Sequence, residues 1–503
     1  MMAVKACILK GKYLDSVKLM LISKELRSLA GVEDAVVIMA TKENREILRS
    51  TNMLVPEIEP AAETDIVVVV MAVDAPTAEQ AIAKAESLVS SPSRSKETTQ
   101  TKLQTIEKAN LALGGADLCL ISVAGKYAAA EAEKALDNGL HVMLFSDNVN
   151  LEDELALKTK AVGKGLLMMG PDCGTAIING IPLAFANKVR KGSIGIVSAS
   201  GTGLQEISCA VHNLGCGVSQ AFGTGGRDGK KEIGGLMLIN CLEYLIRDPG
   251  TQVIVLIGKT PAPEVLDKLW KLLSQTTNPV IINFLKPLEI PSQSNLQYST
   301  SLDETARLAC LATGKELKSP EQKIDYPLPS LRGRYLRGLY SGGTLCAEGL
   351  QVYKGYFGHE PYSNVGSEEK YRLEDGWKTI QDSLIDLGSD EFTVGRPHPM
   401  IDYSLRLKKL EQEAAVPEVG IILLDVVLGY GAHPDPASEL VPVLEKLDKD
   451  LVVICDVLGT EGDPQNRDLQ IKQLEETGAY VFSSHHQACD FACRCLKAKR
   501  GDQ

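Results

Sequence analysis

Residues 192–207 read Gly192-Ser-Ile-Gly-Ile-Val-Ser-Ala-Ser-Gly-Thr-Gly-Leu-Gln-Glu-Ile207. Ser193–Val197 has the apolar, β-branched character of a short buried strand, and Ser198–Gly203 is a turn of small residues. From Leu204 the spacing becomes helical, with Leu204, Ile207, Val211 and Leu214 on one stripe. A strand that ends in a small-residue turn and opens a helix leaves several backbone N–H groups without partners. Together with about half a unit of positive dipole charge, these groups suit an anion. Ser198, Ser200 and Thr202 add hydroxyls, and Gly201 and Gly203 let a ligand approach the backbone. The plain alternative is an ordinary strand–helix turn capped by a hydroxyl side chain.

Working outward, the same alternation recurs along the chain. Downstream, Gly217–Phe222 reads as a strand running into Gly223-Thr-Gly-Gly-Arg-Asp-Gly229, where Gly225 and Gly226 mark a tight backbone and Arg227 offers a fork for phosphate or carboxylate. Upstream, strands at Leu118–Val123, His141–Phe145 and Gly165–Met169 alternate with helices, and the last runs into Gly170-Pro-Asp172-Cys-Gly-Thr175. In a parallel sheet such strand ends share one edge, where ligands usually bind, so Asp172 joins the candidates. Further on, Leu336–Tyr340 leads into Ser341-Gly-Gly343-Thr344-Leu-Cys-Ala-Glu348, an echo of the central turn and a second anion-seeking helix start. Gly395-Arg396-Pro-His398-Pro399 holds an Arg and a His in a stiff loop, where they are candidates for substrate contact or proton transfer. The final unit, from Val419 to about Leu496, carries the Gly- and Pro-rich turn Leu428–Pro436.

The totals set bounds. A chain of 503 residues with 23% charged and 44% hydrophobic residues is globular and has room for three or four domains. A formal charge of −12 argues against nucleic acid as the main partner. No apolar run reaches membrane-spanning length and no signal peptide is recognisable, so a cytoplasmic, reduced protein is expected. The 12 cysteines show no paired CxxC arrangement; Cys489, Cys493 and Cys495 lie beside His485 and His486, but the spacing matches no closed zinc pattern and no metal is expected. Polar stretches at Ser90–Thr101 and 314–330 read as linkers.

With these loops in view, the whole chain resembles the FdrA family, which looks like the succinyl-CoA synthetase superfamily with its modules rearranged. The carriers are Phe145-Ser-Asp-Asn-Val-Asn-Leu-Glu-Asp-Glu154, Met169–Thr175, Gly195–Gly203, Gly223–Asp228, Tyr340–Leu345, Thr393-Val-Gly-Arg-Pro-His-Pro-Met400, Leu423–Val427 and Gly459-Thr-Glu-Gly-Asp-Pro464. The resemblance implies a multi-domain α/β protein. Its parts are a small N-terminal α/β domain at 1–95, a Rossmann-like CoA-binding-type domain at 104–190 and a ligase domain at 191–318. A connecting segment at 331–400 and a second, flavodoxin-like ligase domain at 401–503 follow. It further implies two helix N-termini that share a phosphoryl group. Ser200-Gly201-Thr202 would open one, and the loop around Gly429–Pro436 the other.

Two departures bear on activity. Ligases of this superfamily pass phosphate through a histidine on a Gly-rich loop, yet the matching stretch, Phe284-Leu-Lys-Pro-Leu-Glu-Ile290, contains neither His nor Gly. No region reads as a nucleotide-binding grasp domain. Both argue against NTP-driven CoA ligation by this chain alone. The FdrA family is also associated with oxamate carbamoyltransferase. On that resemblance the expected function is one subunit of an enzyme moving a carbamoyl group between carbamoyl phosphate and oxamate in allantoin breakdown. Small anionic substrates, other subunits and an oligomer are its partners. No cofactor is required, although CoA remains open. The alternatives are an acyl-CoA synthetase or CoA-binding protein, and a non-catalytic scaffold.

Overall fold

The computed structural model describes residues 3–501 apart from 13, 15, 42–43, 46–47, 50–52, 91–102, 285–287, 318–325 and 394–396. Much of the helix expected at Lys42–Ser50, the linker expected at Ser90–Thr101 beyond Ser90, residues 318–325 of the linker expected at 314–330, and Arg396 therefore lie outside the described residues. The chain forms two compact units, one of residues 1–102 and 392–397, the other of residues 103–391 and 398–503. No helix among the described residues is long and apolar enough to cross a membrane.

In the first unit, β1 (Ala3–Leu9), β2 (Val32–Met39) and β3 (Ile66–Ala72) form an antiparallel sheet in the order β1-β3-β2. Helices α1 (Ser16–Arg27) and α2 (Ala75–Ser90) accompany it. The continuous Ile-Val-Val-Val-Val run of β3 is buried on both faces, with Val68 and Val70 packed with Leu19, Leu26 and Ala81 on one and Val67 and Val69 with Leu48, Met53 and Ile58 on the other.

The second unit is built from three sheets. Strands β4 (Leu118–Ile121), β5 (His141–Leu144) and β6 (Met168–Met169) are parallel, with α3 (Ile106–Ala112), α4 (Gly125–Asp137) and α5 (Leu151–Gly163) around them. A hairpin of β7 (Thr175–Ile178) and β8 (Ile181–Ala184) then crosses to the next sheet. That sheet holds β9 (Lys191–Ser198), β10 (Val218–Gly223), β11 (Val253–Gly258), β12 (Val280–Phe284) and β13 (Leu296–Tyr298), in the order β13-β12-β11-β9-β10-β7-β8. The expected boundary at 190 thus falls inside one sheet. Helices α6 (Gly201–Asn213), α7 (Leu236–Arg247), α8 (Pro263–Leu273) and α9 (Leu302–Ala312) belong to it.

The third sheet is all parallel, in the order β15-β14-β16-β17-β18, with β14 (Tyr335–Tyr340), β15 (Ser383–Asp386), β16 (Val419–Val427), β17 (Val452–Leu458) and β18 (Tyr480–Phe482). Its helices are α10 (Gly343–Phe357), α11 (Ser404–Ala414), α12 (Pro436–Leu444), α13 (Arg467–Glu476) and α14 (His485–Arg500). Residues expected in a connecting segment, 331–400, supply two of its five strands. One apolar core runs through both larger sheets, joining Ile196, Leu204 and Ile207 to Leu345, Leu350, Ile421 and Phe491. This shared core brings the C-terminal end of β9 and that of β14 to the same place.

Candidate functional site

Each of those strands opens a helix in the same way. At the end of β9, the buried Ser198 closes the turn: its Oγ donates to the Ser200 carbonyl (2.7 Å) and accepts from the Ser200 N–H (3.0 Å). Ser200 is the N-cap of α6, with extended backbone and its Oγ accepting from Gly203 N–H at 2.9 Å. At the end of β14, Gly342 is the N-cap of α10 and has no side chain to cap with. Asp425, wholly buried on β16, fixes this second turn instead. It accepts from Ser341 N–H (2.8 and 3.0 Å), Ser341 Oγ (2.9 Å) and Gly342 N–H (2.9 Å). Arg406 of α11, also buried, pairs with it at 2.7 Å and donates to the Leu339 and Asp425 carbonyls.

The two helix starts meet. Ser200 Oγ and Thr344 Oγ1 share a short hydrogen bond. A Cβ placed on Gly342 would lie 2.7 Å from Thr202 Cγ2, and one on Gly203 would lie 3.2 Å from Thr344 Cγ2. Only glycine permits that approach. The helix facing α6 is therefore α10, the echo turn. The loop around Gly429–Pro436, expected to provide it, packs elsewhere: a Cβ on Gly429 would be 2.7 Å from the Phe185 carbonyl, and α12 begins under an Asp435 cap.

The meeting point is open to solvent. Gly343 is exposed, and Ala199, Ser200, Gly201 and Thr344 are half-buried. The N–H groups of Gly201, Thr202, Gly343 and Thr344 find no acceptor among the described residues, as expected for a first helical turn. Beside Gly201, Thr175 Oγ1 is buried without a hydrogen-bond partner, 3.5 Å from the position of a Cβ on that glycine. Next to Ala199 a cavity of about 380 Å³ opens, lined by Gly226, Lys230, Lys259, Pro261 and Phe284 among others.

The Gly223–Gly229 loop is held tightly. Lys158 of α5, wholly buried, binds Glu154 (2.8 Å), Asp228 (2.8 Å) and the Thr224 carbonyl (3.0 Å). Asp228 in turn accepts from the N–H groups of Met237 and Leu238 at the start of α7. Gly225, at φ +84°, lies against the Gly170–Pro171 backbone, where a Cβ would come within 2.3 Å of the Pro171 carbonyl. Its role here is loop-to-loop packing, whereas Gly226 faces open space. Arg227 is not a free fork: its Nη2 binds Glu154 Oε2 (2.8 Å) and the Val149 carbonyl (2.7 Å).

Carboxyl groups surround the helix starts. Asp172, in a left-handed backbone at φ +57°, is reached by solvent but sits in a recess. Desolvation there, then Asp147 and Asp390, push its carboxyl up to about 6. Asp386, at the end of β15, lies over α10, its Oδ2 2.8 Å from the Cβ position of Gly343. Burial, with Asp425 and Asp172 adding, raises it to about 7 against the opposing Gly388 N–H and Lys259. His398 lies tilted at 46° to the Phe185 ring, centroids 5.6 Å apart, and its Nδ1 accepts from Met400 N–H at 3.3 Å. Burial holds its imidazole down to about 4, so it is neutral at pH 7, and its Nε2 lies 2.9 Å from the Cβ position of Gly388.

Asp386, Arg406, Lys259 and Thr175 were not singled out from the sequence, whereas Asp425, which the sequence leaves open between substrate contact and structural loop, is structural: it holds the Ser341–Gly342 turn. Asp386 closes β15 and Lys259 follows β11, positions at a strand end like the one that selected Asp172, but neither sits in a glycine-rich run. At the other end of the chain Cys489 and His485 hydrogen-bond each other in the core. Among the described residues no group of three or more His, Cys, Asp or Glu could hold a metal.

Paired doubly wound sheets whose central helices meet at their N-termini define a protein of the CoA-ligase type, and family comparisons agree. Residues 339–495 match the CoA-ligase family, residues 189–285 a CoA binding domain, and residues 2–109 the heavy metal-associated domain of AllF. The chain is 40% identical to the uncharacterized protein YahF of Escherichia coli (strain K12) over 98% of its own length and 99% of that protein. It is 27% identical to the alpha 1 subunit of the ADP-forming succinate–CoA ligase of Archaeoglobus fulgidus, over 35% of this chain and 60% of the subunit. With the corresponding alpha subunit of Aquifex aeolicus it shares 30% identity, over 30% of this chain and 50% of that subunit. The ATP citrate lyase of Methanothrix soehngenii, solved with citrate and coenzyme A, aligns at a TM-score of 0.35 with 19% identity over 44% of this chain and 42% of that one. The chain belongs to the YahF-like, FdrA/succinyl-CoA synthetase-like family, with CoA-binding and CoA-ligase domains behind an AllF-type domain. Residues 2–109 hold one cysteine, Cys7, and no histidine, and burial pushes the Cys7 thiol up to about 12. That donor set does not fit a soft metal ion, so no chemistry is derived through one.

Proposed function

We propose that this chain is an acyl-transfer subunit of the CoA-ligase type that holds a phosphate or acyl-phosphate oxyanion between the starts of α6 and α10. The observation that carries the reading is the contact of the two helix N-termini through Ser200 and Thr344, with four unpartnered N–H groups and the Thr175 hydroxyl around it. Fixed donors of this kind stabilise charge that develops on oxygen, each by about 2.7–4 kcal/mol where it has been removed from an enzyme. Ser200, Gly201, Thr202, Gly343 and Thr344 form the cradle in this reading. Gly226 borders the adjoining cavity, and Arg227 works by fixing α5 to the glycine loop. Asp172 and His398 line the approach.

Within that class, we read the transferred group as carbamoyl and the acceptor as oxamate. Carbamoyl phosphate is a mixed anhydride like an acyl phosphate, so the same cradle serves it. Phe284–Ile290 contains no histidine to carry phosphate, which supports this reading, whereas the matched CoA-ligase and CoA binding domains support the ligase alternative. The test mixes the chain and its partner subunits with oxalurate and phosphate. Carbamoyl phosphate should form; its absence with every subunit present sinks the carbamoyl reading. Calorimetric titration with CoA tests the ligase reading, which micromolar binding would favour. If Gly201→Val leaves the activity of the assembled enzyme intact, the chain is a scaffold.

A further inference from the structure

Asp386 occupies a place where a carboxylate opposes what the helix starts favour. It is 7% exposed, and its Oδ1 accepts from Gly388 N–H at 2.9 Å. Its Oδ2 takes no hydrogen bond among the described residues and hangs over Gly343, the exposed first residue of α10. That residue and Thr344 carry first-turn N–H groups with no acceptor among the described residues. An oxyanion arriving there meets a second negative charge at close range unless the carboxyl is protonated, in which case it meets an O–H donor instead.

We propose that oxyanion binding between α6 and α10 is coupled to uptake of one proton by Asp386. This rests on the oxyanion reading above and adds to it the protonation state that the site requires. The charged and titratable groups facing Asp386 come from every element packed around it. Asp425 approaches from β16, but its charge is compensated by Arg406 of α11. Asp172 approaches from the loop before β7, Lys259 from the end of β11, and the neutral His398 from the loop before α11. Of these only Lys259 favours the ionised form, and Lys259 is exposed to water, which weakens its hold. Burial raises Asp386 to about 7, which brings both protonation states within reach near neutral pH.

The probe is sulfate, which stays a dianion through this range, titrated calorimetrically into the full chain. If only the protonated form binds, the affinity falls about tenfold between pH 6 and pH 8. At pH 8, heats measured in two buffers of different ionisation enthalpy should show close to one proton taken up per sulfate. Asp386→Asn, which keeps the acceptor for Gly388 N–H, should bind sulfate with an affinity that does not change from pH 6 to pH 8. Wild-type binding that is flat with pH, or buffer-independent heats at pH 8, overturns the coupling and leaves the oxyanion reading standing. No sulfate binding by either protein at any pH in this range overturns both.

Discussion

Replacing Asp425 by Asn should loosen the start of α10 and destabilise the second unit severely. The carboxylate is wholly buried and satisfies Ser341 N–H, Ser341 Oγ and Gly342 N–H on one side and Arg406 on the other. An amide of the same shape has only one acceptor oxygen. If that oxygen serves the turn, the NH₂ faces Arg406 Nη2, which sits 2.7 Å from Asp425 Oδ1. Arg406 is 1% exposed, and its Nε and Nη1 already lack partners, so its charge has nowhere to relax. Breaking a buried pair from one side costs about 3–5 kcal/mol. Against total stabilities of roughly 5–15 kcal/mol for a domain, that is a large fraction. Urea unfolding followed by far-UV circular dichroism should show it, and Arg406→Met should show a comparable loss. The double variant should lose less than the sum of the two, by about 1–3 kcal/mol. A loss under about 1 kcal/mol for Asp425→Asn, with additive behaviour in the double variant, would refute the view that this pair sets the α10 turn.

Other expectations follow from the same geometry. Gly225→Val puts a β-branched residue at φ +84° with its Cβ against the Pro171 carbonyl, and should lower stability by roughly 2–4 kcal/mol in thermal melts. Thr175→Val removes a buried hydroxyl that has no partner in the chain; stability should hold within about 1 kcal/mol while sulfate binding weakens severalfold. Asp386 is raised from 3.8 to about 7, so the fold disfavours its ionised form and its contribution to stability declines as pH rises from about 4 to 7. Asp386→Asn should therefore be more stable than wild type at pH 8, by at most about 4 kcal/mol, and no more stable at pH 3.5, as compared in urea at the two pH values.

Much of the fold could be read directly from residue patterns. The buried parallel strands β11, β12, β16 and β17 are rich in Val, Ile and Leu and stand out for that reason, whereas β9 and β14 carry Gly, Ser or Arg between their apolar residues. The turn–helix at Ser200 and its echo at Ser341 are local signals, and both sit where small residues follow a strand. Which two helix starts meet is not a local property. Glycine and proline around Gly429–Pro436 announce a turn as strongly as Ser341–Thr344 does, but the shared core brings α10 to α6 and leaves that loop against Phe185 and Ala186. Arg227 looks available in sequence because nothing near it is acidic except Asp228; its actual partner, Glu154, arrives from another helix. Asp386 and Lys259 are single charged residues after ordinary strands, and only the assembled sheets give them neighbours. Residues 175–184 fall within the 104–190 domain that the resemblance implies, yet they form a hairpin of which β7 pairs with β10 of the next sheet.

The central claim is that two helix starts joined at Ser200 and Thr344 bind a negatively charged oxygen ligand. A crystal of the chain soaked in selenate, with its anomalous signal mapped, tests it most directly. The account predicts a peak within hydrogen-bond reach of the N–H groups of Gly201 or Thr202 and of Gly343 or Thr344. Selenium located only along the lysines of the neighbouring cavity, with the helix starts holding nothing, would contradict it.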